Sequence, residues 1–211
     1  MRILLATTNP GKIREIEGIL EQAPAELVTL RAFPDIPEPE ETGATFAENA
    51  QLKALYYSAA TGLPSLADDS GLEIEALDNI PGVHSARWCG TDYSVKFQKI
   101  YELLRARGAP GSRARFVAAV AFARDGYVEF ETEGVVRGVI APEPRGTNGF
   151  GYDPIFYYPP LGCTLAEVDG PAKAAVSHRG AAFRNVKAYL LTLKGPNWGQ
   201  PPFPARLQGK G

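Results

Sequence analysis

Phe150-Gly151-Tyr152-Asp153-Pro154-Ile155-Phe156 interleaves three aromatics and one carboxylate with glycine and proline, a pattern that core packing alone does not require. Aromatic faces there can stack on a flat base, and Gly149 and Gly151 let backbone come close to a ligand. Asp153 can accept a hydrogen bond from a ring N–H. The plainer alternative is an aromatic-rich strand with a Gly-Tyr-Asp-Pro turn. A second segment, Thr7-Thr8-Asn9-Pro10-Gly11-Lys12, carries a strand through a tight turn into a helix N-terminus, where free N–H groups and the dipole favour a phosphate. It lacks Walker A spacing and also fits a simple strand-to-helix turn. Acids form a third group: Glu38, Glu40 and Glu41 in one loop, Asp68-Asp69 in another. Their repulsion is relieved if some bind a hard cation such as Mg²⁺, which takes one or two carboxylates and fills its shell with phosphates and water. Neighbours in an extended chain point apart, so Asp68 and Asp69 take separate roles, one holding metal or activating water while the other orients a lysine. The bland reading is a solvated glutamate loop and an Asp-Asp-Ser-Gly turn. The fourth group is Lys173-Ala174-Ala175-Val176-Ser177-His178-Arg179-Gly180, where His178 and Arg179 can donate to a base carbonyl and Lys173 can contact base or phosphate. Without a ligand it is a charged helix start.

Together these parts amount to a helix-terminus anion site, lysines at 12, 53 and 173, a metal-capable acidic group, and an aromatic wall beside hydrogen-bond donors. They compose a nucleoside triphosphate site. Ser70 and Lys53 lack partners of the Ser/His/Asp kind, so metal-assisted attack of water on phosphorus is the economical chemistry. His84 has only Arg87 near it in sequence and is read as structural.

The elements that must hold these groups follow from periodicity. Residues 3–6 read as a buried strand, followed by a helix with Ile13, Ile16, Ile19 and Leu20 at helical spacing. Thr45-Phe46-Ala47-Glu48 is a capping-box pattern, so a helix starts there and runs to Thr61, stopped by Gly62 and Pro64, with Asn49, Lys53 and Tyr56 on one face. Residues 63–67 enter a strand expected to break at Asp68-Asp69-Ser70-Gly71, leaving the carboxylates at a strand end before a second strand with Leu72, Ile74 and Ala76. A helix over about 92–107 closes at Gly108, and an apolar strand over 115–123 turns at Asp125-Gly126 into an alternating one, a hairpin. Phe183, Val186, Leu190 and Leu193 define a last helix, ended by Gly195 and Pro196. The sum is an α/β chain with a mixed sheet flanked by helices, and its site residues at element ends.

With 211 residues, 45% hydrophobic and net charge −2, the chain suits an ordinary soluble α/β unit. It lacks the basic face that a nucleic-acid polymer requires, and no transmembrane stretch is visible, so neither polymer nor membrane is an expected partner. Cys89 and Cys163 lie in no metal-ligand pattern, and the apolar run at 3–6 is too short for a signal peptide, which points to the cytoplasm. A single domain is expected over 1–195, with a poorly ordered Pro/Gly-rich tail over 196–211.

In order along the chain, Thr7-Thr8-Asn9-Pro10-Gly11-Lys12, Glu41-Thr42-Gly43-Ala44-Thr45-Phe46-Ala47-Glu48-Asn49-Ala50, Ala67-Asp68-Asp69-Ser70-Gly71-Leu72, Pro81-Gly82, Ser85-Ala86-Arg87, the 150–156 segment and Ser177-His178-Arg179-Gly180 resemble the inosine triphosphate pyrophosphatase (Ham1-like) family, almost to Leu193. The resemblance implies hydrolysis of dITP, ITP and XTP to the monophosphate and pyrophosphate, a Mg²⁺ requirement, and a homodimer. It implies a strongly twisted, elongated sheet in two lobes with the active-site cleft between them. It puts residues 7–12 on the triphosphate, makes Asp69 the water-activating base and a metal ligand, and assigns Glu40 or Glu41 to metal. Lys53 then supports the phosphates, and Ser70, Phe150, Gly151, Tyr152, Asp153, Lys173, His178 and Arg179 contact substrate. The pattern departs at Thr8, where the family often has glycine, and in the added tail. Maf-like pyrophosphatases for other modified nucleotides, and a non-catalytic nucleotide sensor, are the rival readings of the same site.

Overall fold

The computed structural model describes residues 1–193; the expected tail and the helix stop at Gly195 and Pro196 lie outside them. The order of elements is β1 (Arg2–Leu5), α1 (Pro10–Leu20), β2 (Glu26–Thr29), α2 (Phe46–Thr61), β3 (Ser65–Ile74), α3 (Tyr93–Ala106), β4 (Arg113–Arg124), β5 (Tyr127–Ile140), β6 (Phe156–Tyr158), β7 (Cys163–Thr164), α4 (Gly170–Val176) and α5 (His178–Thr192). The strands form one seven-stranded sheet in the order β2-β1-β3-β4-β5-β6-β7. β1 is parallel to both β2 and β3, and the remaining pairs are antiparallel, so the sheet is mixed.

Local signals set the helix starts. Pro10 occupies the first turn of α1 and the Asn9 side chain caps it. Thr45 and Glu48 close a full capping box on α2, and Gly62 ends that helix at φ 68°, where glycine carries no Cβ penalty. Asp92 caps α3. The β4–β5 hairpin turns at Asp125 and Gly126, both at positive φ, as a tight hairpin requires.

Strand alternation then divides the core. Leu5, Leu66 and Phe122 face Ile16 of α1 and Phe183 and Val186 of α5. Their neighbours Leu4, Ala67 and Ala121 face Ala50, Ala54 and Tyr57 of α2 on the other side. A third apolar cluster gathers Ile74, Phe116 and Phe156 around Ile100 and Leu104 of α3. α5 comes unusually close to β5, because a Cβ on Gly134 would run into the His178 carbonyl oxygen and the Ala182 nitrogen.

Two expectations are corrected. β3 does not break at 68–71; Asp68, Asp69, Ser70 and Gly71 pair with Val120, Ala119, Ala118 and Val117 in an uninterrupted ladder. Cross-strand pairing with β4, together with cations supplied from both sides, overrides the turn propensity of Asp-Asp-Ser-Gly. The carboxylates therefore sit in the middle of a strand. Lys173 and His178-Arg179 also do not share one helix start: Ser177, extended at φ −75° and ψ 159°, ends α4 and caps α5.

Candidate active site

β3 presents its two aspartates to opposite sides. Asp69 faces α2, where Lys53 Nζ lies 3.2 Å from its Oδ1 and Asn49 Nδ2 donates to its Oδ2 at 3.1 Å. Lys53 also reaches Glu41 Oε1 at 2.8 Å, and Arg87 donates to Glu41 Oε2 at 2.6 Å. Asp68 faces α1 and α5: Lys12 Nζ lies 3.2 Å from Oδ1 without hydrogen-bond alignment, and Arg179 donates to Oδ2 at 3.3 and 3.4 Å. Arg179 further donates to Ser70 Oγ at 2.7 Å and to Glu15 Oε2 at 2.6 Å. Glu15 takes Lys173 at 2.7 Å, and Lys173 also bonds Asp153.

The same residue type thus meets two fields. Burial pushes the Asp69 carboxyl above the usual aspartate range, more than Lys53 and Lys12 pull it down. At Asp68 burial acts the same way, but Lys12 and Arg179 outweigh it and hold the carboxyl well below that range. Burial lowers Lys12, whereas at Lys53 the three carboxylates outweigh burial and raise it. His178 is buried, stacked on Phe116 with centroids 4.7 Å apart, and held neutral by burial and by the adjacent Arg179 and Lys173. Its Nδ1 has no hydrogen-bond partner among the described residues.

One cavity of about 680 Å³ gathers nearly all of the expected residues. Thr7, Thr8, Asn9 and Lys12 line it together with Glu40, Glu41, Lys53, Asp69 and Ser70 and with Phe150, Gly151, Tyr152, Asp153, Lys173, His178 and Arg179. Pro10 and Gly11 form the first turn of α1. Gly11 carries the Phe150 ring so closely that a Cβ would overlap it. Asp68 is 1% exposed and does not border the cavity. The N–H groups of Gly11 and Lys12, expected to be free for an anion, are taken by Asn9 Oδ1 at 2.8 and 3.2 Å. The Lys12 ammonium and the threonines remain to meet negative charge there.

The 150–153 segment is a turn rather than a flat wall. Phe150 has Lys173 Nζ 4.8 Å and Arg179 Cζ 5.5 Å from its ring centre. Tyr152 is buried edge-on against Tyr93 and its hydroxyl donates to the Ser85 carbonyl at 3.0 Å. The Asp153 carboxylate already accepts from the Phe150 N–H and from Lys173. On α2 it is Tyr57 rather than Tyr56 that borders the cavity. The sequence reading missed Glu15, whose bonded partner Arg179 is 164 positions away, and gave no role to Asn49 or Arg87. For Asn49 the signal was present, since it precedes Lys53 by one helical turn.

Among the described residues no group of three or more His, Cys, Asp or Glu side chains could hold a metal ion. Glu41 and Asp69 nevertheless meet at one ammonium, with Glu40 on the same cavity, and hard oxygens in that number suit a divalent cation that draws its other ligands from phosphates and water. The residues fit such an ion.

The chain is similar to proteins with this architecture. Its similarity to a curated relative from Thermus thermophilus, named dITP/XTP pyrophosphatase, is 51% identity over 189 residues, 87% of this chain and 89% of the relative. A Geobacter sulfurreducens protein of the same name is 46% identical over 191 residues, 90% of this chain and 96% of its own. Among solved structures, a HAM1 protein from Coxiella burnetii superposes with a TM-score of 0.84 at 41% identity, covering 91% of this chain and 99% of that one. The model of the Ham1 family matches residues 3–189, so sheet, cleft and residue pattern converge, and the chain belongs to the Ham1 family.

Proposed function

We propose that this protein hydrolyses the non-canonical purine triphosphates dITP, ITP and XTP to the monophosphate and pyrophosphate, clearing deaminated purines from the nucleotide pool. The observation that carries this reading is one cavity whose wall joins the Asp69 carboxylate to the cationic 7–12 turn and to Phe150, His178 and Arg179. The relatives' shared name, dITP/XTP pyrophosphatase, supports it. So does a volume within the ordinary range for small-molecule sites.

In this reading Asp69 accepts the proton of the water that attacks the α-phosphorus in line. Lys53 and Asn49 aim the carboxylate. Lys12, steered by Asp68 from behind, neutralises charge on the departing pyrophosphate. Asp69 with Glu40 or Glu41 would hold Mg²⁺, which when bound would add neutralisation of phosphate charge and acidify water. Thr7 and Thr8 line the triphosphate end, and Ser70 carries Arg179 toward the base. Phe150 stacks on the purine. His178 and Arg179 face O6 as donors, where adenine would offer a clashing amino group. The unpartnered Nδ1 of neutral His178 supports a ligand at that end. The protein works as a homodimer, as the family resemblance implies, and as one domain over residues 1–195 in the cytoplasm, as the composition and cysteine usage suggest.

Pyrophosphate release from ITP, XTP, GTP, ATP and dTTP, each with Mg²⁺ and with chelator, tests the proposal. Metal-dependent release confined mainly to ITP and XTP is expected. Inactivity on all five, or orthophosphate as the sole product, would overturn it.

A further inference from the structure

α3 carries a buried cation that the proposed chemistry does not use. Lys96 is 0% exposed, and among the described residues no carboxylate lies within ion-pair distance of its ammonium. Its Nζ donates instead to two backbone carbonyls, Ser85 at 3.0 Å and Ala86 at 2.7 Å, and lies 4.4 Å from the ring centre of Tyr93 and 5.7 Å from that of Tyr152. Burying an ammonium is costly, and a methionine would fill the same volume without that cost, so packing does not account for the charge.

The two carbonyls belong to one turn, residues 82–87, of which Val83, Ser85, Ala86 and Arg87 line the cavity. Ser85 Oγ accepts from the Leu72 N–H of β3 at 2.9 Å, two residues beyond Ser70, and donates to the Gly82 carbonyl at 2.6 Å. The Tyr152 hydroxyl donates to the Ser85 carbonyl, joining the turn to the base end. From its far end Arg87 reaches Glu41. The Asp69 carboxylate, by contrast, is held by Lys53 and Asn49 of α2.

We infer that Lys96 is a positioning residue for nucleotide binding: by gripping the carbonyls of Ser85 and Ala86 it fixes the turn that holds Arg87 and Tyr152 in the cavity wall. The inference rests on the nucleotide-hydrolysis reading above. It assigns Lys96 chiefly to substrate affinity, since the Asp69 carboxylate itself is held by Lys53 and Asn49 of α2.

The test is steady-state ITP hydrolysis by the full chain as wild type, Lys96→Met, Arg87→Ala and the double variant, with thermal unfolding of each. Methionine keeps the stem and donates nothing. In folded K96M, KM for ITP should rise about tenfold while kcat stays within about threefold of wild type. In the R87A background the same change should raise KM by less than about twofold, because both substitutions act through one turn. A KM unchanged in folded K96M, a kcat that falls with KM, or effects on KM that multiply independently would overturn the inference. Should K96M not fold, Lys96→Leu, which likewise donates nothing, goes through the same cycle under the same criteria. A wild type that leaves ITP intact contradicts the proposed function, whereas an active wild type with an indifferent Lys96 variant contradicts this inference alone.

Discussion

Asp68 and Asp69 are adjacent in sequence and identical in side chain, yet one is held ionised behind Lys12 and Arg179 and the other is made more basic beside an open cavity. Strand alternation is the whole cause, since it sends consecutive side chains to opposite layers of the fold. That separation was legible from the sequence, because it needs only the knowledge that the chain is extended there. Which aspartate faces the cavity was not legible from spacing, because it depends on whether α2 or α1 and α5 lie against each face. Replacing Asp69 by Asn keeps the shape and removes the proton acceptor. kcat for ITP should fall by roughly three decades while KM changes little, as expected for loss of general-base catalysis. Near-normal turnover in D69N would remove Asp69 from the role.

At the scale of elements, signals carried within a few residues were read well and signals carried by a partner were not. Asn9, Thr45 and Asp92 announce the starts of α1, α2 and α3 because the capping side chain bonds its own helix. The Asp-Asp-Ser-Gly stretch was misread as a break because nothing local reveals the β4 ladder that keeps it straight. Ser177 was passed over for a similar reason: a run with helical composition hides a single extended residue that ends α4 and redirects α5. That redirection matters, since it delivers His178 and Arg179 to the cavity, and Gly134 of β5 allows the approach. Gly134→Ala would press a methyl into the His178 carbonyl, where backbone cannot yield cheaply. A loss of about 3 kcal/mol is expected from such overpacking, or a Tm lower by roughly 6–12 °C for a chain of this size. An unfolding midpoint equal to wild type in calorimetry would show that the α5–β5 contact tolerates a side chain.

The whole molecule brings together groups that the chain keeps far apart. Glu15 and Arg179, 164 positions from one another, join α1 to the start of α5, and Lys53 and Asp69 join α2 to β3. Both networks end on β3, so the sheet holds the cations, the carboxylates and the aromatic segment in one frame. The ordered motifs were legible because each is a contiguous run. Glu15 was not, because its meaning lies only in the two partners that folding brings to it. The central claim is that water, deprotonated by Asp69, attacks the α-phosphorus of a 6-oxopurine triphosphate. Its most direct test is turnover of ITP in ¹⁸O-labelled water, with mass analysis of both products. Label in the monophosphate, with pyrophosphate unlabelled, is the predicted result; label in pyrophosphate would put the attack on the β-phosphorus and contradict the account.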